Sequence, residues 1–315
     1  NARCGGTYAT DCAMKFVLGL VLMLVLGAPA WATPTFEEAV AMFEDKDFKA
    51  AIEIAEPLAN AGDARAMAMM GAVYQSGSGV KADLKKAVEW FTKAAEKGHP
   101  GAEFSLAMLY LDGSLGAPDA DNGAKWLEKA AEGGNPQAQY NLGLLATGIY
   151  GTDPDWPKAA VWFKKSADAG FADAQYNLGL LYLDGKGVDK DQVLAATLFS
   201  KAATQGLPEA AMDYGVLVFR GEGVQKNETV GAQWMLISAR HGNVVAQNRM
   251  ARLYATGRGV ALDPVEAMKW NILAGKGGRA DPWLDDFAAK QTADQRKEAE
   301  SRAASFKPET AKAGS

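Results

Sequence analysis

His99 and His241 are the only histidines in the 315-residue chain. Imidazole is the usual proton acceptor near neutral pH and the commonest nitrogen ligand for a metal. The two occupy different places in the pattern described below, and neither has another histidine or a cysteine near it in sequence. Both therefore read as surface residues near helix ends. Glycine pairs such as Gly185 and Gly187 could cradle a phosphate if they followed a strand, but they follow helical patterns and recur along the chain, which makes them turns. Asn227-Glu228-Thr229 matches a glycosylation sequon, although Asn227 also reads as a helix cap. The phosphate-loop, zinc-protease and serine-hydrolase signatures GxxxxGK[ST], HExxH and GxSxG do not occur. No catalytic residue, metal ligand or cofactor is expected.

Charge and composition narrow the partners. A formal net charge of -5 with a pI near 5.3 supplies none of the clustered positive charge that nucleic acid requires. A chain that is 48% hydrophobic and 23% charged is neither disordered nor fibrous.

One segment stands apart. Met14-Lys15, the apolar run Phe16 to Leu26, and Ala30-Trp31-Ala32 make up the three parts of a signal peptide, with cleavage expected after Ala32 and a mature start at Thr33. The run falls well short of the ~20 residues that span a bilayer. Residues 1–13 read as sequence upstream of the initiator Met14, and they hold both cysteines, Cys4 and Cys12. A mature chain would then lack disulfides, thiolate metal sites and a cysteine for lipid attachment. The expectation is a periplasmic or secreted protein with no stable membrane anchor after signal cleavage.

The elements that must position any binding residue come from an internal repeat. Gly98, Gly134, Gly170, Gly206, Gly242 and Gly278 are spaced by 36 residues without a slip, and so are Ala66, Ala102, Ala138, Ala174, Ala210 and Ala246. Trp90, Trp126, Trp162, Leu198, Trp234 and Trp270 form a third ladder. In each unit a first helix (A) carries a stripe such as Ala174, Leu178 and Tyr182, and a glycine pair ends it. Asp83, Asp119, Asp155, Asp191, Asn227 and Asp263 then cap a second helix (B), with Pro157 and Pro264 in its first turn. The 36-residue glycine ladder ends helix B. Small residues such as Gly71, Ala94 and Ala95 should let helices approach, with Trp90 and Tyr74 filling the remaining space.

The pattern AxxxLGxxYxxGxGVxxD followed by AxxWxxxAAxxG resembles the Sel1-like repeat, a relative of the tetratricopeptide repeat. The resemblance implies an all-α, right-handed α/α superhelix (solenoid) of six 36-residue helix pairs, at residues 63–98, 99–134, 135–170, 171–206, 207–242 and 243–278. Residues 33–62 read as an N-terminal capping helix pair with a shorter turn, and residues 279–315 as C-terminal capping helices and a tail; Thr292 with Gln295 has capping-box spacing. Units two and three depart from the pattern, with Gly113 and Gly116 in one and Ala146 and Ile149 in the other, so their turns should deviate. Unit five has Val218 at the tyrosine position.

Related solenoids line a concave groove with helix A, and the variable positions of that helix are the candidate site. Three residues after the ladder alanine stand Met69, Ser105, Asn141, Asn177, Asp213 and Arg249, a mostly polar stripe. Three further on stand Ala72, Met108, Leu144, Leu180, Val216 and Arg252, apolar until the last. Asn141, Asn177, Asp213, Arg249 and Arg252 are the expected contacts for a protein or peptide partner in the cell envelope. Phe104, Tyr140 and Tyr176 are candidate anchors, with packing between repeats as the competing role. The resemblance implies an adaptor in envelope signalling or exopolysaccharide-related processes. Two other readings stay open: a cell-wall or β-lactam hydrolase, and a carbohydrate or peptidoglycan-fragment receptor, which exposed groove aromatics would mark.

Overall fold

The computed structural model describes residues 34–149 and 153–310. The expected leader segments 1–13 and 14–32, with Thr33, lie outside the described residues, as do 150–152 of the third turn and the tail beyond 310. Among the described residues there are helices and turns but no strands, and no helix is long and apolar enough to cross a membrane.

The chain divides into two compact units at Lys93 and Ala94. In the first, α1 (Phe36–Glu44) opens on a capping box between Thr35 and Glu38, and α2 (Phe48–Asn60) on Asp47. Lys46 at φ 64° makes the short turn between them. Next come α3 (Ala64–Ser76) and α4 (Leu84–Glu96), the second of which runs across the boundary.

The second unit continues with α5 (Pro100–Leu111), α6 (Ala120–Glu132), α7 (Pro136–Ala146), α8 (Trp156–Asp168), α9 (Ala172–Asp184) and α10 (Gln192–Thr204). Then follow α11 (Pro208–Arg220), α12 (Glu228–Arg240), α13 (Val244–Thr256) and α14 (Pro264–Lys276). From α5 to α14 each helix packs on the next. Helices α15 (Pro282–Ala289) and α16 (Ala293–Ser305) follow, with a capping box between Thr292 and Gln295. Helix α16 packs on α14 through Arg302–Glu266 at 3.1 Å, and Phe306 just beyond it meets Trp270 at 5.5 Å.

Helix boundaries follow the caps. All six Asp or Asn N-caps accept backbone N–H bonds at the start of helix B, as in Asn122 N to Asp119 at 3.0 Å and Val230 N to Asn227 at 3.0 Å, each worth about 0.5–2 kcal/mol over alanine. Each cap's own N–H donates to the carbonyl at the tyrosine position of helix A, from Asp83 to Tyr74 at 2.8 Å through Asp263 to Tyr254 at 3.0 Å. Ala146 and Val218 serve equally well at that position, because the bond uses only the backbone.

The glycine pair does two jobs. Gly185, Gly221 and Gly257 end helix A in the left-handed conformation. The second glycine lies against the preceding repeat: a β-carbon on Gly223 would sit 2.2 Å from the carbonyl oxygen of Gln192, at the start of α10. In units two and three helix A ends instead on right-handed Asp112 and Thr147, and the positive-φ glycines Gly113 and Gly148 come one residue later.

The core corrects one expectation. The tryptophans of the ladder are half-buried, except for Trp270, and Lys93, Lys129 and Lys165 lie over Trp90, Trp126 and Trp162 at 4.1–4.4 Å. The deep filler is the next residue, Phe91, Leu127, Phe163, Phe199 or Met235. It seats on the helix-A residue twenty positions earlier in sequence: Phe91 on Gly71, Phe163 on Gly143, Phe199 on Gly179, Met235 on Gly215. Where helix A has Ala107 in place of glycine, the filler is the smaller Leu127. A second tie joins neighbouring repeats, as Gln139, Gln175 and Gln247 donate from helix A to the carbonyls of Ala131, Ala167 and Ala239 near the end of the preceding helix B.

Candidate partner-binding surface

Helices α7, α9, α11 and α13 carry the polar stripe, one residue from each. On α7 and α9 the side chains of Asn141 and Asn177 donate back to the carbonyls of Gln137, at 2.7 Å, and Asp173, at 2.9 Å. That leaves each Oδ1 unpaired among the described residues, and both asparagines are half-buried, so the stripe here presents acceptors.

Further along, the stripe becomes charged. Asp213 accepts from the Tyr176 hydroxyl at 2.9 Å, a link between consecutive repeats. Burial pushes the Asp213 carboxyl above the usual carboxylate range, against the Tyr176 hydrogen bond and the charge of Arg249. Burial, then the charge and hydrogen bond of Asp213, hold the Tyr176 hydroxyl protonated well above the usual phenol range. Arg249 is half-buried and makes no hydrogen bond or ion pair among the described residues. Burial and then Arg220 press its pKa below the usual guanidinium value, against the pull of Asp213.

Arg252 is already engaged. Its Nε and Nη2 donate to the two carboxylate oxygens of Asp281 at 2.7 and 2.8 Å, and Asn248 adds a third bond at 2.8 Å. Asp281 is buried and also caps α15. The sequence does not signal this pair, because Asp281 lies beyond the last repeat.

The candidate anchors are packed. Tyr140 meets Phe163 and Phe171 at 5.8 and 5.2 Å, Tyr176 meets Phe199 at 5.5 Å, and Phe104 lies against the cluster of Leu127 and Ala130. All three are half-buried, which favours packing over the exposed aromatic platform that a sugar receptor needs. The apolar stripe is committed in part as well, since Leu144, Leu180 and Val216 pack on buried clusters.

Both histidines are helix caps. His99 Nδ1 accepts the N–H of Ala102 at 3.1 Å at the start of α5, and His241 ends α12 with its ring 2.9 Å from the Ile237 carbonyl. Asn227 caps α12, as its place in the pattern requires.

Sequence reading by stripes misses one feature. Arg220, Lys226, Arg249, Arg252 and Arg258 sit at different repeat positions, yet they line one cavity of about 430 Å³ between α11 and α13. The available signal was the density of cations between 220 and 258.

The model of the Sel1 repeat matches residues 64–99, 100–135, 136–171, 172–207, 208–243 and 244–278. Among solved structures, c5321, a protective antigen of uropathogenic Escherichia coli strains with an SLR fold, is 27% identical with a TM-score of 0.73, over 86% of this chain and 61% of that one. This chain thus spans under two thirds of that protein. A Sel1 repeat protein from Oxalobacter formigenes is 25% identical with a TM-score of 0.65, over 76% of this chain and 96% of that one. No curated protein matches the chain.

Proposed function

The chain belongs to the Sel1 repeat family, whose arrays generally mediate contacts between proteins, and we propose that it is an adaptor of the bacterial cell envelope that holds a peptide segment or partner domain on its helix-A surface. One observation carries this reading. Consecutive repeats place Asn141 and Asn177 at the same position with acceptor oxygens unspent on the fold, so a partner's donors find a periodic row. The envelope location rests on the leader pattern of residues 14–32. N-terminal sequencing of protein from the periplasmic fraction should begin at Thr33, and full-length protein in the membrane fraction would remove that part of the reading.

Affinity capture from periplasmic extract tests the adaptor role. The wild-type chain, Asn141→Ala/Asn177→Ala, and Lys164→Ala in helix B are compared. A partner retained by wild type and control but lost from the double variant supports the reading. Equal retention by all three, or no retained protein, argues against it.

A further inference from the structure

The cavity between α11 and α13 has an apolar floor of Val216, Phe219, Met235 and Leu253 beneath five cationic side chains. Counter-charges are fewer than cations. Glu228 is shared by Arg258, at 2.7 Å, and Lys226, at 3.2 Å; Glu222 faces Arg220 at 3.6 Å; Asp281 holds Arg252 at 2.7 Å. Three carboxylates thus serve four cations, and Arg249 has no carboxylate within 4.0 Å among the described residues. A half-buried guanidinium beside other cations, with the charge of Asp213 acting on it only from beyond 4.0 Å, has given up hydration without gaining a hydrogen-bonded partner, and a planar carboxylate is the group that its paired N–H donors fit.

From this we infer that the cavity is a docking site for an acidic residue of a partner polypeptide, with the carboxylate on Arg249 and an adjacent apolar side chain on the Val216–Leu253 floor. The apolar floor selects a peptide over a free inorganic anion, which would leave it uncovered. The inference deepens the adaptor reading and rests on it: it supplies the partner's chemistry between the fifth and sixth repeats, away from the asparagine row.

The test is selection of peptides from a random heptapeptide library on the full chain. Enriched sequences should carry Asp or Glu beside an apolar residue. Synthetic peptides from that pool should bind Arg249→Met about tenfold or more weakly than wild type, and added sodium chloride should weaken wild-type binding. Methionine keeps an apolar side chain in the wall, and thermal unfolding checks the fold. If Arg249→Met fails to fold, Arg220→Met, on an exposed side chain, carries the same comparison. Enriched peptides without acidic residues, acidic peptides bound equally by variant and wild type, or no enrichment would each overturn the site. None of these outcomes decides the adaptor reading, whose capture experiment changes Asn141 and Asn177 and leaves Arg249 intact.

Discussion

A β-carbon on Gly179 would lie 2.6 Å from Cε1 of Phe199, whose ring is fully buried between α9 and α10. The contact is ring against helix backbone, so neither side yields without moving a helix. Gly179→Leu should therefore cost about 1–3 kcal/mol, read as a lower midpoint of thermal unfolding. Combining it with Phe199→Ala should recover part of the loss, because the second change opens the space that the first overfills. An unchanged midpoint in the single variant would mean that the helices are phased differently.

Gly223 and Gly206 both have positive φ, 68° and 94°, but only Gly223 touches backbone; Gly206 has nothing within 4 Å. Gly206→Ala should cost about 1–2 kcal/mol for the left-handed conformation alone. Gly223→Ala should cost more, because its β-carbon meets the Gln192 carbonyl as well. Chemical denaturation of the two variants separates the terms, and equal losses would contradict close packing of the turn on α10.

These glycines show what the sequence makes legible. A cap or a turn needs one residue type at one place, so a period of 36 displays it directly, and the six N-caps read correctly. Packing partners need two places compared. The exchange of Gly179 with Phe199 for Ala107 with Leu127 is present in the sequence, but the tryptophan ladder beside it draws attention first. The cationic cavity is harder still, since Arg220, Arg249 and Arg258 come from three different register positions and only the stacking of repeats brings them together.

The Arg252–Asp281 pair should make the C-terminal cap sensitive to acid. Burial raises the Asp281 pKa, but the hydrogen bonds from Arg252 and Asn248 and the Arg252 charge outweigh it, so the carboxyl titrates below its ordinary value. A folded pKa below the unfolded one gives stability that is present above about pH 3.9 and lost as pH falls through the lower folded value. At neutral pH Asp281→Asn should cost about 1–3 kcal/mol, because one partner of a buried bond is removed. The difference from wild type should vanish in acid. Hydrogen exchange in Pro282–Ala289 would locate the loss, and a difference independent of pH would show that the charge contributes nothing.

Asp213 should behave in the opposite sense. Burial raises its folded pKa above the unfolded one, so ionisation penalises the folded state: the penalty is absent below about pH 3.9 and complete above the folded pKa. Asp213→Asn keeps an acceptor for the Tyr176 hydroxyl and removes the buried charge, so relative to wild type it should gain stability as pH rises through that window. Asp213→Ala should instead cost about 0.5–1.5 kcal/mol at neutral pH, since Tyr176 loses its partner. Tyr176→Phe tests the same bond from the other side. Asp213→Ala is thus a poor probe of binding, because any loss would mix folding with recognition. Asn177→Ala is a clean one: its amide bonds only to its own helix, and stability should stay within about 0.5 kcal/mol of wild type. Unfolding curves across acidic pH for Asp213→Asn and Asp213→Ala would check the signs, and a stability difference for Asp213→Asn that stays flat with pH would mean that burial does not govern this carboxylate.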